Sequence, residues 1–404
     1  TKELENIAMY DLLTGLPNRN MLNFQLRKQL KNKANNNVSV GILFLDLDDF
    51  KKVNDSHGHG EGDKLLVEAA NRINLSVANI GMFYVTCSIG IAMTEGTDIQ
   101  ASELVSHADI AMYEAKDHGG DRYFVYHGDM FQRVAHRVMM EGEVKQALAK
   151  GQFSLSLQPQ LESKTNKVHG FEALLRWQHP ERGMVSPDDF IPLLENSEHM
   201  IELGYWVIRR CFEIYDEMRT AGLSDVIIAI NLSAAQFADI NLQHYLEGLL
   251  DEFQLNAENF ELELTEHTLV KDIDKAIATM DALRLIGFSF AIDDFGTGYS
   301  SLAYLKRMPV DVIKIDKSFV VGMLENHADF QIIMSTIAMV KSLGLTVIAE
   351  GVETKAQLRT LTENDCDLIQ GYYFSKPIPE VGLIDFINRE IIDGNWRVRV
   401  NSDG

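Results

Sequence analysis

The sequence predicts a (β/α)8 barrel that is preceded by a smaller α/β domain. The main observation is that seven apolar, strand-like segments in the C-terminal two-thirds of the chain each contain or end in a polar or charged side chain. Carboxylates are disfavoured inside strands, and a lone buried charge is costly or becomes neutralised. Seven such segments in order indicate the C-terminal mouth of a barrel, because catalytic groups there come from the ends of different strands.

The seven segments share side chains that could bind a metal ion or a substrate. They are GFEALLRW with Glu172, IIAINLS with Asn231, FELELTE with Glu263, FSFAIDDFGTG with Asp293 and Asp294, VIKID with Lys314 and Asp316, TVIAEGVE with Glu350 and Glu353, and LIQGYYF with Gln370. This oxygen-rich set suits hard divalent cations such as Mg²⁺ or Mn²⁺, whereas zinc would favour Cys and His.

Local patterns predict the other elements in chain order. These are the end of a helix at 1–10, a strand at 38–46, a helix at 61–73, a strand at 83–93 and a helix at 101–117. An amphipathic segment predicts a linker helix that stops at Gly151. A later helix is predicted at 186–195, with Ser186 as N-cap and Pro187 at the first helical position. We therefore divide the chain into a first domain at 1–129, the linker helix at 130–150 and the barrel domain at 151–404.

The barrel segments carry a family resemblance that covers roughly residues 130–395. The motifs are EALLRW (172–177), NLS (231–233), ELTE (263–266), DDFGTGYSSL (293–302), KIDKSFV (314–320), AEGVE (349–353) and QGY (370–372). In order and spacing they resemble the EAL phosphodiesterases, which hydrolyse cyclic di-GMP. The resemblance implies a metal-dependent hydrolase that cleaves one phosphodiester of cyclic di-GMP and releases the linear dinucleotide pGpG.

The resemblance also implies a two-metal site, with Mg²⁺ or Mn²⁺ as the cofactor. The first metal would be held by Glu172, Asn231, Glu263 and Asp293, and the second by Asp293, Asp294 and Glu350. Two cations about 3.5–4 Å apart can lower the pKa of a bridging water and clamp the attacking and leaving oxygens of the displacement.

Further roles follow from the same resemblance. The catalytic groups would be Lys314, Glu350 and Gln370. Lys314 would orient or deprotonate the water or neutralise phosphate charge, and Gln370 would hydrogen-bond the water. Burial would lower the pKa of Lys314 and nearby carboxylates would raise it, and the sequence does not decide between them. Arg176 is a candidate phosphate clamp, and Gln158 is a candidate contact for a base edge.

Each of these residues has a simpler explanation when it is taken alone. A single strand glutamate such as Glu172 is more often at an edge or faces solvent, and a lone lysine is usually solvated. Asp316 could equally be a helix N-cap. Glu266 and Glu353 fit support of the site and of the loop at 293–302 better than metal binding. The ordered set of seven motifs is what favours a metal site.

A second set of motifs lies in the first domain and resembles the GGDEF diguanylate cyclase domain. It consists of DLLTGLPNR (11–19), LDLDDFKKVNDSHGHGEGD (45–63), CSIGIA (87–92) and HADIAMYEAKDHGGDR (107–122). The resemblance implies Asp46 as a metal ligand, Asn54 and Asp63 as a guanine-reading pair, and GTP as a ligand of this domain. His57 stands where the family usually has Phe or Tyr.

The first domain departs from this family in one segment. After LLVEAANRI (65–73) the GGDEF turn and its flanking elements are absent, and NLSVANIGMFYVTCSIGIA (74–92) follows at once. Their loss would leave unpaired strand backbone and an uncovered apolar sheet face, which is costly. This cost favours an interruption of the written sequence near 73–82 over a natural deletion, although deletions at loops do occur. Without the turn, cyclase activity should fail, and GTP binding or regulation of the barrel would remain.

Composition limits the partners and the compartment. A net charge of −22 argues against a nucleic acid polymer, because phosphate backbones need clustered Lys and Arg. A doubly negative dinucleotide must therefore be captured locally, by metal ions and a few basic residues. Three widely spaced cysteines and the lack of a signal peptide or transmembrane segment fit a cytoplasmic protein. The chain opens at Thr1, so we expect a fragment whose upstream part could hold a sensor domain or a membrane anchor.

Three functions remain open at this point. A phosphodiesterase with a regulatory GGDEF-like domain fits the filled ligand positions. A non-catalytic cyclic di-GMP receptor would be expected to lose a metal ligand or the loop motif, and a bifunctional cyclase–phosphodiesterase would require the GGDEF turn. The loop at 293–302 and the helix after it resemble the family's dimer-forming region, so we expect a homodimer through the barrel domain.

Overall fold

The computed structural model describes residues 9–36, 39–76, 86–94, 99–194, 197–266, 268, 273–296, 305–392 and 395–396. The chain forms two compact units, Thr1–Met139 and Met140–Gly404. The helix end predicted at 1–10 lies almost wholly outside the described residues. Among the helices of these described ranges, none combines the length and the apolar character needed to cross a membrane.

The first unit has a small three-stranded sheet flanked by helices. Its elements are α1 (Arg19–Asn36), β1 (Gly41–Leu47), α2 (Phe50–His57), α3 (His59–Ser76), β2 (Cys87–Met93), α4 (Ala101–Asp117), β3 (Arg122–Val125) and the start of α5 (Gly128–Ala149). β2 lies between β1, to which it is antiparallel, and β3, to which it is parallel. The predicted helices and strands are present with small shifts of their ends, and residues 83–85 lie outside the described ranges.

One face of this sheet is covered by helices, and the opposite face carries exposed apolar side chains. On the covered face, Ile42 packs in a buried cluster with Leu104 of α4. The opposite face carries Leu43, Leu45 and Tyr123, which are 60%, 42% and 66% exposed. Exposed apolar side chains on this face are compatible with the loss of the GGDEF segment, whose cause stays a prediction.

The second unit contains a closed eight-stranded barrel. After α5 its elements are β4 (Phe153–Glu162), β5 (Val168–His179), β6 (Gly183–Val185), α6 (Pro187–Leu194), α7 (Glu198–Thr220), β7 (Ile227–Asn231), α8 (Ala234–Phe237), α9 (Leu242–Phe253), β8 (Phe260–Thr265), α10 (Ile273–Ile286), β9 (Ser289–Phe295), β10 (Val312–Ile315), α11 (Lys317–Gly322), α12 (His327–Ser342), β11 (Thr346–Ala349), α13 (Lys355–Glu363), β12 (Leu368–Gln370), β13 (Ile378–Pro379), α14 (Leu383–Glu390), β14 (Ile391–Ile392) and β15 (Asn395–Trp396). Around the barrel the order is β4–β5–β7–β8–β9–β10–β11–β12, and β12 pairs with β4 to close the ring. The predicted barrel is confirmed.

One strand departs from an all-parallel barrel. β4 is antiparallel to both β5 and β12, whereas the other neighbouring barrel strands are parallel. The connection from Glu162 to Val168 is a tight turn, and a parallel crossover needs about a dozen residues or more. β4 therefore starts at the mouth of the barrel, at the end where the parallel strands finish.

Apolar side chains pack on both faces of the barrel strands. Outside the barrel, the ring of Phe260 stacks on Phe212 of α7 with 4.0 Å between centroids. Inside it, four residues from neighbouring strands form a small cluster, namely Ala291, Val312, Ile348 and Leu368. A third cluster joins Val144 and Ala147 of α5 to the rim residues Val185 and Phe190. The end of α5 is therefore part of the core of the second unit.

Candidate active site

Alternation along four neighbouring strands brings predicted residues to the barrel mouth. Successive side chains of a strand point to opposite faces, so residues two apart share a face. Each member of the internal apolar cluster is followed two positions later by a predicted site residue: Asp293 follows Ala291, Lys314 follows Val312, Glu350 follows Ile348, and Gln370 follows Leu368. The apolar cluster is thus the layer beneath a polar site at the C-terminal ends of the strands.

Lys314 lies at the centre of this site. Its side chain is fully buried, and its Nζ lies 2.8 Å from an oxygen of Glu263 and 2.7 Å from an oxygen of Glu350. Oxygens of Asp293 and Glu172 lie 3.3 Å and 3.4 Å from the same Nζ. One ammonium group therefore contacts carboxylates from four separate parts of the barrel.

The carboxylates around Lys314 decide its protonation. Burial would lower the pKa of Lys314, but Asp293, Glu172, Glu263 and Glu350 raise it well above its usual value. The sequence did not decide whether burial or the carboxylates would dominate the pKa of Lys314, and the structure indicates that the carboxylates do. Lys314 is an ammonium at neutral pH, so it can donate hydrogen bonds and offset negative charge.

Glu172 is held as an anion by its neighbours. Burial opposes its ionisation, but the charge of Lys314 and hydrogen bonds from Gln370 and Asn231 keep the pKa of Glu172 below its usual value. Asn231 Nδ2 donates to Glu172 Oε1 at 2.8 Å, and Gln370 Nε2 donates to Glu172 Oε2. The same Nε2 lies 3.3 Å from Gln158 Oε1. These contacts fix the orientation of the Glu172 carboxylate.

Three other acids of the site have a raised pKa, in contrast to Glu172. Burial raises the pKa of Glu350 to about 8 and that of Asp294 to about 6. Burial also raises the pKa of Glu263 well above its usual value, although Lys314 acts against it. The site therefore holds more acidic groups than one lysine can neutralise, which favours the binding of a further cation.

Three of these carboxylates lie close enough together to share a metal ion. Oxygens of Glu172, Glu263 and Asp293 are within 4.8 Å of one another. Glu263 Oε1 is buried and has no hydrogen-bond partner in the described ranges, which leaves it available as a ligand. All the donors are oxygens, as hard divalent cations prefer. The residues present fit a metal site.

The backbone turns sharply at the second of the two adjacent aspartates. Asp294 has a left-handed φ of 54°, which is uncommon for a residue other than glycine, and its N–H donates to Asp293 Oδ1 at 2.9 Å. Glycine adopts such backbone more readily than other residues, and two glycines follow in the DDFGTG segment. Gly296 does have a φ of 101°, but the departure from extended backbone begins at Asp294 itself. Asp294 lies outside the group of three close carboxylates, and its metal-binding role stays a prediction.

A cavity of about 650 Å³ opens above the acidic cluster. Six of the residues predicted to bind metal or substrate or to act in catalysis line it, namely Glu172, Asp293, Glu350, Gln370, Gln158 and Arg176. Its volume is in the range of small-molecule sites. Arg176 is half-buried and donates to the carbonyl oxygen of Leu175 at 2.8 Å. The cavity thus joins the acidic cluster to the two residues predicted to contact substrate.

The remaining predicted residues of the barrel, Glu353, Glu266 and Asp316, differ in their exposure and contacts. Glu353 is exposed and lines the cavity. Both carboxylate oxygens of Glu266 are buried without a hydrogen-bond partner among the residues described, and most of the loop that it was expected to support, residues 297–304, lies outside them. Asp316 accepts from Ser318 N at 3.0 Å and caps α11, which is the simpler of its two explanations.

The three residues predicted in the first unit lie in two places. Asp46 pairs with Lys116 at 2.6 Å. A Cβ at Gly62 would lie 1.9 Å from Asn54 Oδ1, so Asn54 packs against the helix turn that carries Asp63. In the part of this unit that the structure describes, no three acidic, His or Cys side chains approach closely enough to share a metal. The proposed roles of these residues therefore stay predictions.

Two residues were missed by the sequence reasoning. Glu261 is buried on β8, two positions before Glu263, and burial raises the pKa of Glu261 to about 7. The alternation in FELELTE that places Glu263 inside the barrel also identifies Glu261. Lys317, within KIDKSFV, is exposed and lines the cavity.

Two protein families match this chain. Residues 141–377 match the EAL domain, and residues 8–83 and 77–122 match the diguanylate cyclase, GGDEF domain, in two pieces. The break in the second match falls at the interruption predicted near 73–82.

The sequence matches to three bacterial proteins extend over both domains. Cyclic di-GMP phosphodiesterase NbdA of Pseudomonas aeruginosa is 34% identical over 426 residues. Bifunctional diguanylate cyclase/cyclic di-GMP phosphodiesterase MucR of the same species and cyclic di-GMP phosphodiesterase PdeR of Escherichia coli K12 are each 34% identical over 425 residues. Each match covers 95% of this chain but only 54%, 62% and 64% of the three relatives. The chain thus spans less than two thirds of their length.

Solved structures resemble the barrel. The PaMucR phosphodiesterase in complex with c-di-GMP is 36% identical, with a TM-score of 0.59, over 61% of this chain and 99% of that chain. The EAL enzyme Bd1971, in its form bound to cAMP and cyclic-di-GMP, is 30% identical, with a TM-score of 0.61, over 74% of this chain and 81% of that chain.

Proposed function

Because the chain belongs to the EAL domain family, we propose that it hydrolyses cyclic di-GMP to the linear dinucleotide pGpG with the help of divalent metal ions. The observation that carries this proposal is the buried group of Glu172, Glu263 and Asp293 around Lys314, beneath a cavity of about 650 Å³. Relatives that are named for this activity support it.

The metal ions would be held by carboxylate and amide oxygens at the barrel mouth. Glu172, Asn231, Glu263 and Asp293 would hold one Mg²⁺ or Mn²⁺, and Asp293, Asp294 and Glu350 would hold a second. When bound, such ions lower the pKa of a water and offset phosphate charge. The chain prepares the site beforehand, since Asn231 and Gln370 orient the Glu172 carboxylate through hydrogen bonds.

Lys314 and Gln370 would act on the water and the reacting phosphate. The raised pKa of Lys314 supports water orientation and charge neutralisation over proton abstraction, because an ammonium has no lone pair to accept a proton. Gln370 uses its Nε2 on Glu172 and Gln158, while its buried Oε1 has no partner among the residues described. That oxygen is suited to accept a hydrogen bond from the attacking water.

Two alternatives have less support. A non-catalytic receptor would be expected to lack a ligand, whereas each matched ligand position here carries a donor oxygen. A bifunctional enzyme would need the GGDEF turn, which this sequence lacks near 73–82. For the first domain we propose GTP binding by Asp46, Asn54 and Asp63, or regulation of the barrel. A homodimer through the loop at 293–302, an upstream sensor and a cytoplasmic location remain expectations.

Incubation of the chain with cyclic di-GMP and Mg²⁺ or Mn²⁺ tests the proposal. We expect conversion to pGpG, with turnover lost in Glu172→Ala and kept in Glu258→Ala, in which the replaced glutamate is exposed. Tight binding of cyclic di-GMP without turnover by the unsubstituted chain would contradict the proposal and favour a receptor. Formation of cyclic di-GMP from GTP would favour the bifunctional alternative.

A further inference from the structure

The cavity above the acidic cluster has two basic side chains in its walls. Arg176 and Lys317 line it together with several carboxylates, which include Glu172, Asp293 and Glu350. A cyclic dinucleotide carries two phosphate charges, and the net charge of −22 disfavours its approach. Cations within the cavity are therefore needed to bind it.

Among the residues that the structure describes, neither of these two cations forms an ion pair with a carboxylate. In the described part of the chain, no carboxylate oxygen lies within 4.0 Å of the Arg176 guanidinium or the Lys317 ammonium. Lys314, by contrast, is within that distance of four carboxylates. An anion that enters the cavity can therefore contact two cations that form no ion pair with the described residues, whereas Lys314 beneath them already contacts four carboxylates.

The barrel topology places the two cations on opposite walls. Arg176 lies near the end of β5, and Lys317 is the first residue of α11, directly after β10. In the closed ring of eight strands, β5 and β10 are four strands apart in either direction. The two side chains can therefore contact a ligand from opposite sides.

The backbone of Lys317 is held close to the neighbouring strand end. A Cβ at Gly351 would lie 2.6 Å from the Lys317 Cβ, so glycine at this position allows α11 to begin against the turn after β11. A cation in the first turn of a helix interacts unfavourably with the helix dipole. Helix stability therefore does not account for the lysine at this position.

Resting on the function proposed above, we infer that Lys317 binds the non-reacting phosphate of cyclic di-GMP. The reacting phosphate must lie at the cluster of Glu172, Glu263 and Asp293, where Lys314 already supplies a positive charge. The second phosphate of the ring would lie away from that cluster. Lys317 follows Lys314 by three positions on the same side of the barrel, lines the cavity and forms no ion pair with the described residues. Lys317 thereby favours substrates with two phosphates over simple phosphodiesters.

Lys317→Ala distinguishes the two phosphates. The KM for cyclic di-GMP should rise about tenfold with little change in kcat, because the lost charge-assisted contact is made equally before and during the reaction. The Kd for cyclic di-GMP, measured by calorimetry with a metal chelator so that no turnover occurs, should rise by a similar factor. Turnover of bis(p-nitrophenyl) phosphate, which has one phosphate, should not change.

Two further variants control for general effects. Lys355→Ala is matched, because Lys355 is also the exposed first residue of a helix that follows a barrel strand, but it is not among the residues that line the cavity. It should leave both substrates unaffected. Lys317→Arg should keep most of the affinity, since Arg also binds phosphate. Thermal unfolding of each variant establishes that it is folded.

Two results would overturn the inference. One is an unchanged KM and Kd for cyclic di-GMP in folded Lys317→Ala. The other is an equal loss of turnover with bis(p-nitrophenyl) phosphate, which would place Lys317 at the reacting phosphate. Failure of the proposed function would look different, because the unsubstituted chain would then not hydrolyse cyclic di-GMP at all.

Discussion

A substitution at Glu261 tests how much a buried charge beneath the site lowers the free energy of unfolding of the barrel. It precedes Glu263 by two positions on β8, as the apolar Ala291 precedes Asp293 on β9, and it is 3% exposed. Burial raises the pKa of Glu261 to about 7, against a usual value of 4.5. Glu261→Gln removes the charge and keeps the size of the side chain. The free energy of unfolding of this variant should therefore depend on pH in a defined way.

The direction of the effect follows from where the proton is held. Because the pKa of Glu261 is higher in the folded barrel than in the unfolded chain, the folded state keeps its proton between about pH 4.5 and 7 while the unfolded state loses it. The stability that this group contributes is complete below pH 4.5 and is lost as the pH rises through 7. Since Gln does not titrate, Glu261→Gln should be more stable than the unsubstituted barrel by about 1 kcal/mol at pH 5.5 and by about 3 kcal/mol at pH 8.5.

Urea unfolding followed by tryptophan fluorescence measures this difference in the barrel. All three tryptophans, Trp177, Trp206 and Trp396, belong to the second unit. A metal chelator is included, so that metal binding by the folded state does not add to its stability. Glu258→Gln, at an exposed position, is the control and should show no difference between the two pH values.

Two results would refute this reasoning. The first is a stability difference between Glu261→Gln and the unsubstituted chain that is the same at pH 5.5 and at pH 8.5. The second is a variant that is less stable at pH 8.5. Either would mean that the charge of Lys314, which acts against burial, compensates fully for the buried carboxylate.

Three further changes test other parts of the barrel. Lys314→Met should lower the free energy of unfolding in chelator by about 3–5 kcal/mol, because it leaves buried carboxylates without their counter-charge. Gly371→Ala should lower both stability and turnover, since a Cβ there would lie 2.1 Å from the carbonyl oxygen of Val352 and would displace the end of β12. Thr354→Ala removes the capping box that Thr354 forms with Gln357 at the start of α13, and it should cost about 1 kcal/mol without changing KM.

The same urea titrations and a cyclic di-GMP assay check these three variants. An unchanged urea midpoint for Lys314→Met would show that the carboxylates take up protons at no cost. Normal turnover by Gly371→Ala would mean that the turn after β12 can move without disturbing Gln370. A raised KM in Thr354→Ala would connect the start of α13 to the substrate, although Thr354 itself is not among the residues that line the cavity.

The position of the site could be predicted because a barrel strand repeats every two residues. Val312 and Lys314, or Ile348 and Glu350, differ in chemistry but share a face, so apolar strands that end in polar groups indicate a mouth. The direction of β4 was not predicted, since the alternation along a strand is the same in either direction. The short connection at 163–167 contained that information, because it leaves no room for a crossover helix.

The electrostatics of the site could not be predicted from residue types. The pKa of Lys314 depends on the distances to four carboxylates, and only the closed barrel sets those distances. The same holds for Gln370, because the sequence shows neither that its Nε2 donates to Glu172 nor that its Oε1 remains for the water. Asp316 differs from these two residues, because its helix-capping role could be predicted from its position just before α11.

The reversed direction of β4 decides where the preceding chain joins the barrel. A strand that starts at the mouth receives α5 on the catalytic side. Val144 and Ala147 of α5 share a buried cluster with Val185, and Val185 also lines the cavity. A rotation or shift of α5 would therefore reach the cavity wall through direct side-chain contacts, without passing through the barrel. The segment that tethers the barrel to the rest of the chain supports the wall that a substrate would meet.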